Sequence, residues 1–208
     1  RVDTRLRPFG DSGALVASYP SLENYYQQHG RDWERYALLK SRCITGPSKQ
    51  TRAFQQLARR FVYRRYTDFS VIDGLRDMKA LIDTERLSKD LADDVKRGPG
   101  GIREAEFVVQ SHQLTHGGRI PAIQTINFQA SASVLAKERC APKSVVSTLI
   151  SAYRHLRQVE HGIQALRDEQ THSIPGVHDT QENLRQLLGY ASWSELSDQT
   201  EAYRTAIA

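Results

Sequence analysis

No apolar run in these 208 residues approaches the roughly 20 needed to cross a bilayer, so the sequence predicts no membrane-spanning helix. No apolar secretory-type segment opens the chain, and no initiator methionine precedes Arg1. Only two cysteines occur, Cys43 and Cys140. They lie far apart and form no C-x-x-C pair, which argues against a disulfide framework and predicts a reduced, cytoplasmic protein. There is no Walker-type phosphate loop and no G-x-G-x-x-G, so neither glycine-rich nucleotide cradle is available. His112 and His116 have the i, i+4 spacing of a helical metal pair, but no third ligand and no His-Glu-x-x-His context accompanies them. They are expected to be a surface pair. Internal repeats and low-complexity tracts are absent as well.

The charge balance is mildly basic, with a formal net charge of +5 and a pI near 9.3. That permits an anionic partner. The 29 basic residues are nevertheless spread among 24 acidic ones. Arg59-Arg60 and Arg64-Arg65, with Tyr63 and Tyr66 interleaved, fit either a nucleic-acid face or a solvated, salt-bridged helix face. The dispersal of charge favours the second and argues against nucleic acid as a partner.

Periodicity divides the chain unevenly. Residues 1–18 suggest strand, turn and strand, with Asp11-Ser12-Gly13 as the turn and Leu15-Val16 as the second extended pair. Ser21 is the expected N-cap of a helix running through Tyr25-Tyr26. Gly30-Arg31-Asp32 interrupts, and a second helical stretch covers residues 33–44. Gly46-Pro47-Ser48 is the clearest linker and sets the expected domain boundary, giving 1–46 and 47–208. Beyond it, Phe54, Leu57, Ala58, Phe61 and Val62 keep helical spacing, as do Val71, Leu75, Met78, Ala80 and Ile82. Gly98-Pro99-Gly100-Gly101 stops one element and starts a helix from Ile102 to about Leu114. A longer helix, about 40 Å at 1.5 Å per residue, is expected between Pro142 and Pro175. Its stripe is Val145, Leu149, Ala152, Leu156, Val159, Ile163 and Leu166. A last helical segment carries Leu184, Leu187 and Leu188, with Trp193 and Leu196 after a break at Gly189. The expected fold is mainly α with a small α/β part. Two strands do not make a stable sheet by themselves, so the sequence is expected to be a piece of a larger catalytic chain.

The opening strand carries the most pointed chemistry. Alternation sends Val2, Thr4 and Leu6 to one face and Asp3, Arg5 and Arg7 to the other. A carboxylate beside two guanidiniums suits a metal ion held next to phosphate oxygens, and it equally suits a solvated edge strand. Gly100-Gly101 before a helix offers backbone N–H groups and a positive dipole end to an anion, or is an ordinary helix start after Pro99. Arg103 and Glu106 share a face of that helix. Asp32, Glu34 and Arg35 are expected to form a structural charge network.

Three segments carry a family resemblance. They are Arg1-Val2-Asp3-Thr4-Arg5-Leu6-Arg7-Pro8-Phe9-Gly10-Asp11-Ser12-Gly13, Gly30-Arg31-Asp32-Trp33-Glu34-Arg35-Tyr36-Ala37-Leu38, and Gly100-Gly101-Ile102-Arg103-Glu104 with Glu106-Phe107. In this order they resemble the bacterial glutamine synthetase adenylyltransferase/adenylyl-removing enzymes, and the wording of the first two is similar to the N-terminal, adenylyl-removing half. The resemblance implies the C-terminal part of a polymerase β-type nucleotidyltransferase domain in 1–46, followed in 47–208 by an all-helical bundle of the PII-uridylyltransferase/adenylyltransferase type. It implies removal of AMP from a glutamine synthetase tyrosine by phosphorolysis, with ADP released. Asp3 then resembles the third of three carboxylates holding Mg²⁺, the other two being absent from this sequence, so the piece alone is expected to be inactive. Arg5, Arg7, Gly100, Gly101 and Arg103 become phosphate- or nucleotide-binding candidates, with Glu104 and Glu106 supporting them. Implied partners are glutamine synthetase, ATP or ADP, phosphate and a PII signalling protein. The ATP-dependent adenylylating half, a PII uridylyltransferase and a non-catalytic helical docking module are the competing readings. The chain departs from the family pattern at Ala130-Ser131-Ala132-Ser133, which leaves the packing there open.

Overall fold

A computed structural model describes residues 6–64, 69–88 and 91–208, with the backbone alone at 69–72, 85–88 and 167. Among them are nine α-helices: α1 (Tyr19–Gln28), α2 (Asp32–Leu38), α3 (Ser48–Val62), α4 (Phe69–Ser88), α5 (Ile102–His116), α6 (Phe128–Lys137), α7 (Lys143–Arg167), α8 (His178–Leu188) and α9 (Trp193–Ile207). The expected helical architecture is therefore present. No described helix is long and apolar enough to cross a membrane.

The expected α/β part is not seen among the described residues. Residues 10–12 form a 3₁₀ turn, with Phe9 before it and Gly10 at its start both in the left-handed region at φ of 61° and 57°. Leu15 and Val16 are 75% and 86% exposed rather than paired in a strand. With no described strand alongside, their backbone groups have no ladder to join. Most of the first expected strand, residues 1–5, lies outside the described residues. The extended pairing between Asp94 and Ser173 is a single isolated bridge.

The chain divides into two compact units. The first comprises residues 1–78 and 110–126, the second 79–109 and 127–208. The Gly46-Pro47 linker falls inside the first unit, where Pro47 immediately precedes α3.

In the first unit α3 packs against α1 and α2. Leu39, Phe61, Val62 and Leu114 form its core, with Tyr26, Tyr36, Tyr63 and Leu75 against them. Helix α1 starts three residues earlier than expected. Ser18, not Ser21, is the cap, its hydroxyl accepting from Ser21 N at 3.4 Å, and Pro20 sits in the first turn where its missing N–H costs nothing. Helix α2 ends at Leu38 instead of near residue 44.

The second unit is built on the 25-residue α7, which packs against α6, α8 and α9. Leu149, Ala152, Leu156, Val159 and Ile163 are buried along its stripe, while in its first turn Val146 is buried and Val145 stays exposed. Val95, Val159, Ile163, Leu184 and Leu196 form a core cluster. The Ala130-Ser131-Ala132-Ser133 run is helical in α6, with Ser131 and Ala132 buried, as small residues at a close helix contact should be. Gly189 ends α8 in the left-handed conformation at φ 76°, the usual helix stop. Ser192 then caps α9 through Glu195 N at 3.1 Å, and the Glu195 carboxylate accepts from Ala191 N at 3.0 Å.

Candidate functional site

Asp3 and Arg5 lie outside the described residues. Arg7 is described, and its guanidinium serves its own turn. Nε donates to the Gly13 carbonyl at 3.0 Å, Nη2 donates to the Asp11 carbonyl at 3.0 Å, and Nη1 stands 3.9 Å from Asp11 Oδ1. Ser12 Oγ closes the same turn onto Phe9 O at 2.8 Å. Arg7 thus fixes the conformation of the segment that follows Asp3 and Arg5.

Asp32, Glu34 and Arg35 form a structural network, as their expected role required. Arg35 is 1% exposed and donates through Nε and Nη2 to the Val62 carbonyl at 3.2 and 2.8 Å and through Nη1 to Asp32 at 3.1 Å. Burial pushes the Arg35 pKa below its usual value despite Asp32. The buried Glu34 carboxylate accepts from Tyr25 Oη at 2.8 Å and from Arg31 N at 2.8 Å. These bonds fasten α2 to α1 and α3.

The glycine motif lies in the second unit, and its backbone donors are already engaged. Gly100 N donates to Glu104 Oε2 at 2.9 Å, Gly101 N to Gly98 O at 3.1 Å, Ile102 N to Val95 O at 3.0 Å, and Arg103 N to Lys96 O at 2.9 Å. These are the N–H groups that would meet an anion at the start of α5. The glycines answer instead to space. Gly100 has a φ of 62°, and a Cβ there would stand 1.9 Å from the Arg204 carbonyl oxygen. At Gly98 a Cβ would stand 2.4 Å from Leu91 O. Arg204, 7% exposed, reaches over the loop to donate to Pro99 O at 2.9 Å and Ala92 O at 2.6 Å. The geometry is that of a loop clamped under the end of α9.

Glu104 also pairs with Lys79, which contacts Asp83 at 3.2 Å. Burial lowers the Lys79 pKa, but these two carboxylates outweigh it and hold the ammonium above its usual value. Glu106 accepts from Tyr153 Oη at 3.2 Å; burial first, then the Glu106 charge, push that phenol up to about 12. The second unit therefore brings Gly100, Gly101, Arg103, Glu104 and Glu106 together on one loop and helix, with Arg7 in the first unit.

Two buried acids escaped the sequence reading. Asp94, 2% exposed, accepts from Lys96 N and Arg97 N at 2.9 and 2.8 Å and from Arg97 Nε and Nη2 at 2.9 and 2.8 Å. Burial raises its pKa, and these bonds overcome that to hold the carboxyl below the usual range. Glu160, 2% exposed, meets Lys96 at 3.2 Å, Arg157 at 2.5 Å and His172 at 3.1 Å. The three-residue spacings Asp94–Arg97 and Arg157–Glu160 were the available signal. His112 and His116 are half-buried and stacked at 5.5 Å rather than fully exposed, and burial followed by the neighbouring His116 lowers the His112 pKa. Among the described residues no group of three or more His, Cys, Asp or Glu could hold a metal ion. Two hollows of about 300 and 350 Å³ flank α3 in the first unit and include none of the sequence candidates.

Residues 76–208, well over half the chain, match the family model described as GlnD PII-uridylyltransferase, and residues 1–57 match that described as glutamate-ammonia ligase adenylyltransferase. These matches define the class: a predominantly helical piece of the uridylyl- and adenylyltransferase group. The chain is 45% identical over 207 residues, its whole length, to the bifunctional glutamine synthetase adenylyltransferase/adenylyl-removing enzyme of Pseudomonas putida. It is 45% identical over 208 residues to that of Xanthomonas axonopodis pv. citri and 44% over 207 to that of Nitrosococcus oceani. The chain belongs to the family of bifunctional glutamine synthetase adenylyltransferase/adenylyl-removing enzymes. It covers 21%, 22% and 21% of these three relatives, about a fifth of their length.

Proposed function

We propose that this chain is part of the adenylyl-removing half, acting on an adenylylated tyrosine of glutamine synthetase in the cytoplasm under control of a PII signalling protein. A phosphate oxygen would attack the AMP phosphorus, the bond to the tyrosine oxygen would break, the phenolate would take up a proton, and ADP would leave. Residues 1–46 would be the last part of the catalytic nucleotidyltransferase domain, and residues 47–208 its helical companion. Asp3 would supply one Mg²⁺ ligand, with two carboxylates from outside this chain. The ion would neutralise phosphate charge, the main requirement of such transfers. Arg5 would lie on the phosphate side, Arg7 would hold the turn behind it, and the clamped glycine loop would be scaffold. The 45% identity to bifunctional adenylyltransferase/adenylyl-removing relatives along the full chain supports the family part of this reading, and the Phe9 to Gly13 and Gly30 to Glu34 wording supports the choice of half. The uridylyltransferase model on residues 76–208 favours a second reading, transfer of UMP to PII.

The test uses the full-length enzyme. Phosphate-dependent ADP release from adenylylated glutamine synthetase should vanish in Asp3→Asn, while incorporation of AMP from ATP persists. Undiminished release in the variant removes Asp3 from the mechanism. Loss of AMP incorporation with release intact assigns the chain to the adenylylating half.

A further inference from the structure

Nine of the basic residues fall between positions 35 and 67, a stretch with no aspartate or glutamate at all. The remainder of the chain carries more acids than bases. Folding concentrates this charge further. One of the nine, Arg35, is buried in the α2–α3 contact, and Arg42, Lys49, Arg52, Arg59, Arg60 and Arg64 are all exposed. At 100° per residue, Lys49, Arg52, Gln56, Arg59 and Arg60 share one side of α3, opposite Phe54, Ala58 and Phe61. Among the described residues the carboxylate nearest this ridge is Glu23, 3.9 Å from Arg60. The two hollows lie on its flanks: Arg42 and Arg59 line one, Arg60 and Arg64 the other.

We infer that the outer face of α3 is the docking surface for an acidic face of the protein substrate. This rests on the reading of glutamine synthetase as substrate. A nucleic-acid strand would want aromatic platforms beside the cations. The described aromatics here are already engaged: Tyr26 and Phe61, which line one hollow, stack on each other at 4.5 Å, and Tyr63, which lines the other, packs on the core cluster and against Gly117. Guanidiniums in a row above shallow hollows suit carboxylates on a folded surface, which they can grip bidentately. Such a rim raises the rate of encounter and fades with salt.

Binding of the full-length enzyme to immobilised adenylylated glutamine synthetase provides the test, alongside ADP release from the same preparations. Arg52→Glu with Arg59→Glu should weaken binding by about tenfold or more and flatten its salt dependence. Arg52→Lys with Arg59→Lys, which keeps the charge but gives up the bidentate grip, should weaken binding less than the Glu pair and keep its salt dependence. Phosphorolysis of a short adenylylated tyrosine peptide should be unchanged in both, which also verifies folding. Equal binding by wild type and the Glu variant overturns the proposal. So does loss of a nucleic-acid mobility shift with protein binding intact, which would give the face to nucleic acid. Salt-sensitive binding lost in the Glu variant, but with no ADP release by wild type, would keep the docking surface and refute the adenylyl-removing reading.

Discussion

The first unit buries one charged residue of each sign, Arg35 against the Val62 carbonyl and Asp32, and Glu34 on Tyr25. The second instead buries two acids, Asp94 and Glu160, among arginines, a lysine and backbone N–H groups, and one arginine, Arg204, over the glycine loop. Their surfaces differ more plainly. The first unit carries the acid-free basic ridge of α3 and leaves Leu6, Phe9, Leu15, Val16 and Ile44 exposed. The second turns its glycine loop inward, beneath α9. Buried ion pairs add little net stability yet cost heavily when one partner is lost. The contrast teaches that the glycine motif, which looks like a site in the sequence, has its backbone donors spent on scaffold, and that the basic segment offers an outer face to a partner.

The largest predicted effect separates two glycines of like backbone conformation. Gly100→Ala should cost about 3 kcal/mol or more, because its Cβ meets the Arg204 backbone. Gly10→Ala, at φ 57° with nothing within 4 Å, should cost about 1 kcal/mol. Thermal melting of both variants would break the contrast if they fell alike. Next come the buried charges. Arg35→Met strands the Val62 carbonyl, and Glu160→Gln weakens the hold on Lys96, Arg157 and His172, so each should lose about 2–3 kcal/mol in denaturant titration. A loss in one unit only would end the symmetry.

Acid should act on both units, through the half-buried His112 of the first and through His155 and His172 of the second. Burial holds the pKa of His155 below its ordinary value, and burial followed by Lys96 does the same for His172. His155 is also committed to the neutral form: Thr200 Oγ1 spends its proton on Leu196 O, so it accepts from Nε2, and Tyr190 Oη then donates to Nδ1. A depressed histidine pKa makes its contribution fully present above about pH 6.5, the unfolded value. That contribution is lost as pH falls from there toward the folded value, at up to about 1.4 kcal/mol per pH unit for each histidine. The urea midpoint should therefore drop between pH 7.5 and 5.5, and less steeply in His155→Gln. A midpoint that rises on acidification contradicts this. Smallest are the caps: Ser192→Ala should cost about 1 kcal/mol and Ser18→Ala, with its 3.4 Å contact, about 0.5 kcal/mol, both readable as melting shifts.

Much of the helical order was legible because periodicity and glycine stops report local geometry. The α7 stripe and the Gly189 break needed no tertiary information. The strand expected at Leu15-Val16 failed because extension depends on a partner that local sequence does not name. Asp94 has its partners within three residues, but its burial was not legible from spacing, and Glu160 stayed hidden because Lys96 and His172 are brought to it from elsewhere. The Gly100-Gly101 motif was found, but its spent donors were invisible without Glu104 and Arg204 in place.

Hydrogen exchange of the full-length enzyme, with and without adenylylated glutamine synthetase, tests the division between the two units most directly. The account predicts slowed exchange over residues 40–64 of the first unit and none over α8 and α9. Protection on α8 and α9 with α3 unchanged would contradict it.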